Sequence, residues 1–154
     1  MSILIKTKYD FKNALKKSKT DSLWACEVAD VYIDGDANIK IKSSPKKAIK
    51  LLKYWENKKD VPEDKKSFVH YRFEKAYQKL GKTKEKEKYQ LLHYEYMLKN
   101  GRDGISYEYT LRSYLELQIN NSVNDKNIII DEKIFEKVLQ YLPEYFKKRA
   151  NKVF

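Results

Sequence analysis

The sequence predicts an all-α chain, built as a short right-handed solenoid of stacked antiparallel helix pairs with seven or eight helices. Three observations predict it. Only 4 Gly and 3 Pro interrupt 154 residues, and 36% of the residues are charged, a balance that favours long solvated helices over strands. Apolar residues recur at three- and four-residue spacing through most of the chain. One pattern also occurs twice: an aromatic-ended helix, a glycine turn, then a helix containing apolar-x-Leu-Leu.

The elements follow in order. "YDFKNALKKSK" sets Tyr9, Phe11, Ala14 and Leu15 on one side of a first helix. Thr20 and Asp21 can cap the next, which carries Leu23, Trp24, Val28, Val31 and Tyr32 at helical spacing. Gly35, between Asp34 and Asp36, ends it, because glycine takes the left-handed conformation cheaply. "ANIKIKSS" alternates Ile39 and Ile41 with lysines but has no convincing strand partner nearby, so it reads as a loop. Ser44 is placed to cap a third helix, with Pro45 in its first turn, where a missing N–H costs nothing. Ala48, Ile49, Leu52 and Trp55 share one face of it.

"NKKDVPEDKK" reads as a charged linker. The helix after it, "KSFVHYRFEKAYQKLG", turns Phe68, Val69, Phe73, Ala76, Tyr77 and Leu80 inward and stops at Gly81. "KTKEKEKYQLLHYEYMLKNG" follows, with Tyr89, Leu92 and Tyr96 inward, Leu91 a further candidate, and Gly101 as its stop. "ISYEYTLRSYLELQI" offers Ile105, Tyr107, Leu111, Tyr114, Leu115 and Gln118 to a further helix, and "NNSVNDKN" reads as a polar loop. In the last segment Ile128–Ile130 precede Asp131, which can cap a helix bearing Ile134, Phe135, Val138, Leu139 and Leu142. Pro143 is expected to kink or end it.

The two copies of the pattern align Tyr32 with Tyr77, Gly35 with Gly81, and Ile49-x-Leu51-Leu52 with Tyr89-x-Leu91-Leu92. Repeated helical hairpins stack because one hairpin cannot bury both of its faces. "LWACEVADVYIDGDANIKIKSSPKKAIKLL" resembles a Sel1-like repeat, with Ala29, Tyr32, Gly35, Lys47 and Ala48 carrying the match. "FEKAYQKLGKTKEKEKYQLLHYEYM" is similar to a tetratricopeptide repeat at Ala76, Tyr77, Leu80 and Gly81. Lys88 stands opposite Ala48, where the family prefers a small residue. The resemblance covers about half the chain, Leu23 to Leu98. It implies one helical-repeat domain over residues 1–154: an N-terminal helix (1–19), a first hairpin (20–60), a second (64–100) and a degenerate C-terminal hairpin (104–154). It also implies a non-enzymatic protein-binding module, since small chains of this kind serve as adaptors or as immunity proteins that cap a toxin.

The formal net charge is +11. Such a balance attracts an acidic protein, nucleic acid or an anionic surface. If the repeats stack as the resemblance implies, the first helix of each pair lines a groove. The earlier one offers Glu27, Asp30 and Asp34; the later one offers Tyr71, Arg72, Lys75, Gln78 and Lys79. A groove acidic at one end and basic at the other suits a polypeptide with its own charge pattern, although Asp30 and Lys75 can equally pair with each other. The alternative is nucleic-acid binding through a lysine field. Lys46, Lys47, Lys50 and Lys53 supply one half of it, Lys58, Lys59, Lys65 and Lys66 the other, around Tyr54 and Trp55. Trp55 is in register with Ala48 and Leu52 and reads as core, and arginine, the better base reader, is scarce.

Little in the chain suggests catalysis. His70 and His93 both fall on helices, and no phosphate-binding glycine loop, dinucleotide fingerprint or C-x-x-C occurs. Asp34, Asp36 and Asn38 suggest a calcium loop, but Ile39 stands where glycine is needed and Pro45 where a bidentate glutamate is needed. No cofactor or metal is expected. A single cysteine, Cys26, cannot form an internal disulfide and reads as a buried thiol in a reducing compartment. "MSILIKTKYD" has too short an apolar run before Lys6 for a signal peptide, and no stretch is long enough to span a membrane, so a cytoplasmic protein is expected.

Overall fold

A computed structural model describes residues 4–100, 105–124, 132–141 and 144, and the regular structure among them is helical. Seven helices occur in these residues: α1 (Lys8–Lys17), α2 (Ser22–Asp34), α3 (Pro45–Glu56), α4 (Glu63–Lys79), α5 (Thr83–Asn100), α6 (Ile105–Asn124) and α7 (Glu132–Tyr141). None is long and apolar enough to cross a membrane. Contacts divide the chain into two compact units, Met1–Gln90 and Leu91–Phe154, with the boundary inside α5.

Local chemistry sets most helix ends. Thr7 and Asp10 form a capping box at α1: the Thr7 hydroxyl accepts from the Asp10 N–H at 3.0 Å, and Asp10 Oδ2 accepts from the Lys6 and Thr7 N–H groups. Asp21 caps α2 by accepting from the Leu23 N–H at 2.9 Å. Ser44 is the residue before α3, but its side chain makes no capping bond; Pro45 in the first turn and the Ser44 N–H donated to the Tyr32 carbonyl hold that end instead. The charged stretch before α4 is partly helix rather than linker. Pro62 precedes it, Glu63 and Asp64 suit the positive end of its dipole, and the Lys66 N–H closes the first turn on the Pro62 carbonyl. Similarly, α6 runs through Asn124 into the expected polar loop, with no glycine or proline to stop it.

Gly35 ends α2 at φ +73°, where an added Cβ would stand 2.7 Å from the Ser43 nitrogen. The chain then reverses in a tight loop latched by two bonds, Asp36 N–H to the Ile41 carbonyl at 2.8 Å and back at 2.9 Å. Lys40 adopts φ +56° within it, and Ile39 is buried beneath. The Ile39–Ile41 segment is thus a pinned loop.

In the first unit α2 packs against α1, α3 and α4, and α3 packs against α4. Ile5, Phe11, Ala14, Val28, Val31 and Ile39 form one cluster, with Leu51 of α3 packed on it. Leu52, Ala48 and Trp55 form the buried face of α3. The Trp55 Nε1–H donates to the Ser18 carbonyl at 2.8 Å, which satisfies a buried polar group on each partner. Phe73 and Tyr77 of α4 stack on Tyr89 of α5, the first pair with centroids 4.3 Å apart and planes 13° apart. The Tyr89 phenol is bonded to the Glu56 carboxylate, and burial together with that bond raises it above the usual phenol range.

Four side chains counted in the apolar patterns lie outward. Tyr9 is 73% exposed, and Leu23 and Phe68, about half exposed, line a cleft between α2 and α4. Leu139 of α7 is also exposed. In the second unit Leu98, Tyr107, Leu111, Tyr114, Leu115 and Ile134 form the core, and α6 packs on α7. The Tyr107 hydroxyl donates to the Leu98 carbonyl, and Gln118 Nε2 donates to the Tyr114 hydroxyl, both at 3.0 Å. The expected roles of Gly101, Ile128–Ile130, Asp131, Leu142 and Pro143 lie outside the described residues, as does the Val138 side chain.

Candidate functional site

The acidic residues expected on α2 and the basic residues expected on α4 meet each other. Arg72 Nη2 donates to Asp30 Oδ2 at 3.1 Å, and Lys75 Nζ lies 3.5 Å from Asp30 Oδ1 and 3.9 Å from Asp34 Oδ2. Lys79 reaches Asp34 Oδ1 at 3.9 Å. These spacings follow from helical geometry: residues 30 and 34 on α2, and 72, 75 and 79 on α4, each repeat about once per turn along facing helices. The result is a charge ladder in which each cation answers a carboxylate. The Arg72 and Asp30 side chains are 18% and 28% exposed, whereas Asp34 is 54% exposed, so the inner end of the ladder is the less solvated one.

Of the remaining groove candidates, Tyr71 borders the ladder. Tyr71 is 40% exposed, with the Arg72 guanidinium and the Lys75 ammonium near its ring at 5.5 and 5.8 Å. Gln78 is exposed. Glu27 borders a cleft of about 360 Å³ whose other walls include Leu23, Trp24, Cys26 and Phe68.

The lysine field divides. Lys46, Lys50 and Lys53 stand at i, i+4 and i+7 on α3, opposite buried Ala48, Leu52 and Trp55, and all three are exposed. No carboxylate of the described residues comes within 4 Å of any of them. Lys47 lies over the Tyr32 ring at 5.8 Å, and Lys58 over the Trp55 ring at 4.8 Å. Lys59 is exposed after the helix; Lys65 and Lys66 are half-buried in the first turns of α4. Trp55 is only 4% exposed, which removes it as a stacking platform.

Compared with protein-family models, curated proteins and solved structures, the chain matches none. Its own chemistry is therefore the guide to what this surface does.

The reactive side chains are placed quietly. Cys26 is buried, and desolvation pushes its thiol up to about 11, with Arg72 pulling weakly the other way. His70 lies against the Tyr89 ring and His93 against the Tyr94 ring. Asp36 Oδ1 accepts from the Asn38 N–H at 2.9 Å, an Asx turn, while Asp34 faces the α4 lysines, so the two carboxylates serve different partners. No group of three or more histidine, cysteine or acidic side chains among the described residues is arranged to hold a metal.

Sequence reasoning singled out the lysines of residues 46–66 and passed over those of α1. Lys8, Lys12 and Lys16 are all exposed at four-residue spacing, a signal visible in "KYDFKNALKK".

Proposed function

We propose that the chain is a non-enzymatic protein-interaction module, a short solenoid of Sel1-like or tetratricopeptide-like helix pairs that receives an acidic protein partner, in the manner of an adaptor or an immunity protein. The single observation that carries this reading is the contrast between the two charged surfaces of the first unit. The α2–α4 charges are paired, three cations on two carboxylates, whereas Lys46, Lys50 and Lys53 have no counter-ion among the described residues. Uncompensated charge of one sign steers an oppositely charged partner and sets the rate of encounter. Packing of α2 with both α3 and α4 supports the repeat reading, because stacked pairs make those contacts.

The test is affinity capture from the cells that make the protein, comparing wild type with Lys46→Glu/Lys50→Glu/Lys53→Glu. A defined protein partner should be retained by wild type and lost by the variant, with helical content unchanged by circular dichroism. Retention of nucleic acid in place of a protein, or equal retention by both forms, overturns the proposal.

A further inference from the structure

Side chains of α3 reach α1, which carries a lysine row of its own. Trp55 Nε1–H donates to the Ser18 carbonyl at the end of α1, and the Tyr54 hydroxyl donates to the Lys19 carbonyl at 3.4 Å. Further back, Leu51 packs on the cluster that holds Phe11 and Ala14, and Lys47 lies over Tyr32, whose ring meets Phe11 edge-on with centroids 5.4 Å apart. Advancing from Phe11 to Ser18 along α1 thus parallels advancing from Lys47 to Trp55 along α3. The two helices run in the same direction, each packed on α2 and linked to the other through the side chains of Leu51, Tyr54 and Trp55.

Together they carry eight lysines and two carboxylates, Asp10 and Glu56. Both carboxylates are committed: Asp10 to the N–H groups that open α1, Glu56 to the Tyr89 phenol. Lys8, Lys12 and Lys16 on one helix, and Lys46, Lys50 and Lys53 on the other, form two rows with a repeat of about 6 Å per four residues. We infer that these two rows form one docking surface, and that its occupant is an acidic helix of a protein partner with carboxylates about one turn apart. This rests on the reading of α3 as a docking face and extends it to α1.

The aromatic rings argue for protein over nucleic acid. A single-strand track needs successive open rings on which bases can stack. Trp55 is buried, Lys47 lies over Tyr32, and Tyr54 meets Trp55 edge-on with its hydroxyl bonded to Lys19. Among the described rings along these two helices only Tyr9, in the first turn of α1, and Tyr54, in the last turn of α3, are exposed, and two rings so far apart make no continuous track. Carboxylates at i and i+4 of a helix repeat with the period of the lysine rows.

The experiment uses the full chain and two probes of equal charge: a synthetic helical peptide with glutamate at every fourth position in an alanine-rich background, and a mixed-sequence single-stranded oligodeoxynucleotide. Binding is measured by fluorescence anisotropy at low salt for wild type, Lys12→Glu/Lys16→Glu, Lys46→Glu/Lys50→Glu, and Lys82→Glu/Lys84→Glu as an equal charge change elsewhere. The expected result is a loss of about tenfold in peptide affinity for each of the first two variants, less than about threefold for the third, and weaker binding of the oligonucleotide by wild type. If the α1 variant binds like wild type while the α3 variant loses affinity, the inference fails and the α3 reading stands. If neither variant differs from the Lys82/Lys84 control, both fail. Tighter binding of the oligonucleotide than of the peptide overturns the choice of partner.

Discussion

Arg72 of α4 donates to the Asp30 carboxylate of α2 at 3.1 Å, tying together two helices whose paired residues lie 42 positions apart. The contact is partly shielded, and Lys75 shares the same carboxylate. Asp30→Ala leaves a mostly covered guanidinium without its counter-ion. It should destabilise the first unit by about 1–2 kcal/mol. Asp34→Ala, at the solvated end of the ladder, should cost less than about 0.5 kcal/mol. Urea unfolding of the two variants checks the order; equal costs would mean that the ladder is solvent-screened throughout.

Two glycines of positive φ differ in what surrounds them. Both Gly35 and Gly81 have φ near +70°, but an added Cβ at Gly81 meets nothing within 4 Å, whereas at Gly35 it meets the Ser43 nitrogen at 2.7 Å and the Ile41 carbonyl oxygen at 3.1 Å. Gly81→Ala should cost about 1–2 kcal/mol, the conformational term alone. Gly35→Ala should cost distinctly more, since the latched loop must move. Thermal melts of the pair test this.

How much of this was legible beforehand depends on how local each signal is. Gly35, Gly81, Asp21 and Pro45 act within a few residues, and each sits at a helix end as the sequence implies. Leu23, Phe68 and Tyr9 fit their apolar stripes equally well but lie exposed, because tertiary packing and not local spacing decides which part of a stripe is covered. The charges of the ladder were visible one by one. A pairing of Asp30 with Lys75 was one of two readings, and the choice between them depends on α2 and α4 facing each other. The α1 lysine row gained meaning only from its link to α3, which the Trp55–Ser18 bond reveals.

Trp55→Phe keeps most of the ring and removes one donor. The Ser18 carbonyl then loses its buried partner, and the variant should be less stable by about 1–3 kcal/mol. Trp55→Tyr, whose hydroxyl cannot reproduce the indole geometry, should not restore the loss. Denaturant midpoints at unchanged m-value provide the measurement.

Burial raises the Cys26 thiol from 9.0 to about 11, so the folded chain holds that proton after the unfolded chain has released it. The stability this group contributes is therefore full below about pH 9 and lost as pH rises toward about 11. Relative to Cys26→Ala, wild type should lose stability across that window, which isolates the thiol from the tyrosines that titrate nearby. Native protein at mildly alkaline pH should also resist alkylation until denaturant is added.

Both tryptophans, Trp24 and Trp55, belong to Met1–Gln90, and Leu91–Phe154 contains none. Indole emission excited at the red edge thus monitors the first unit alone, while ellipticity averages over both. A denaturation midpoint that differs between the two signals would expose stepwise melting of the halves, and coincident midpoints would mean that α5, which runs through the division, transmits cooperativity from one to the other.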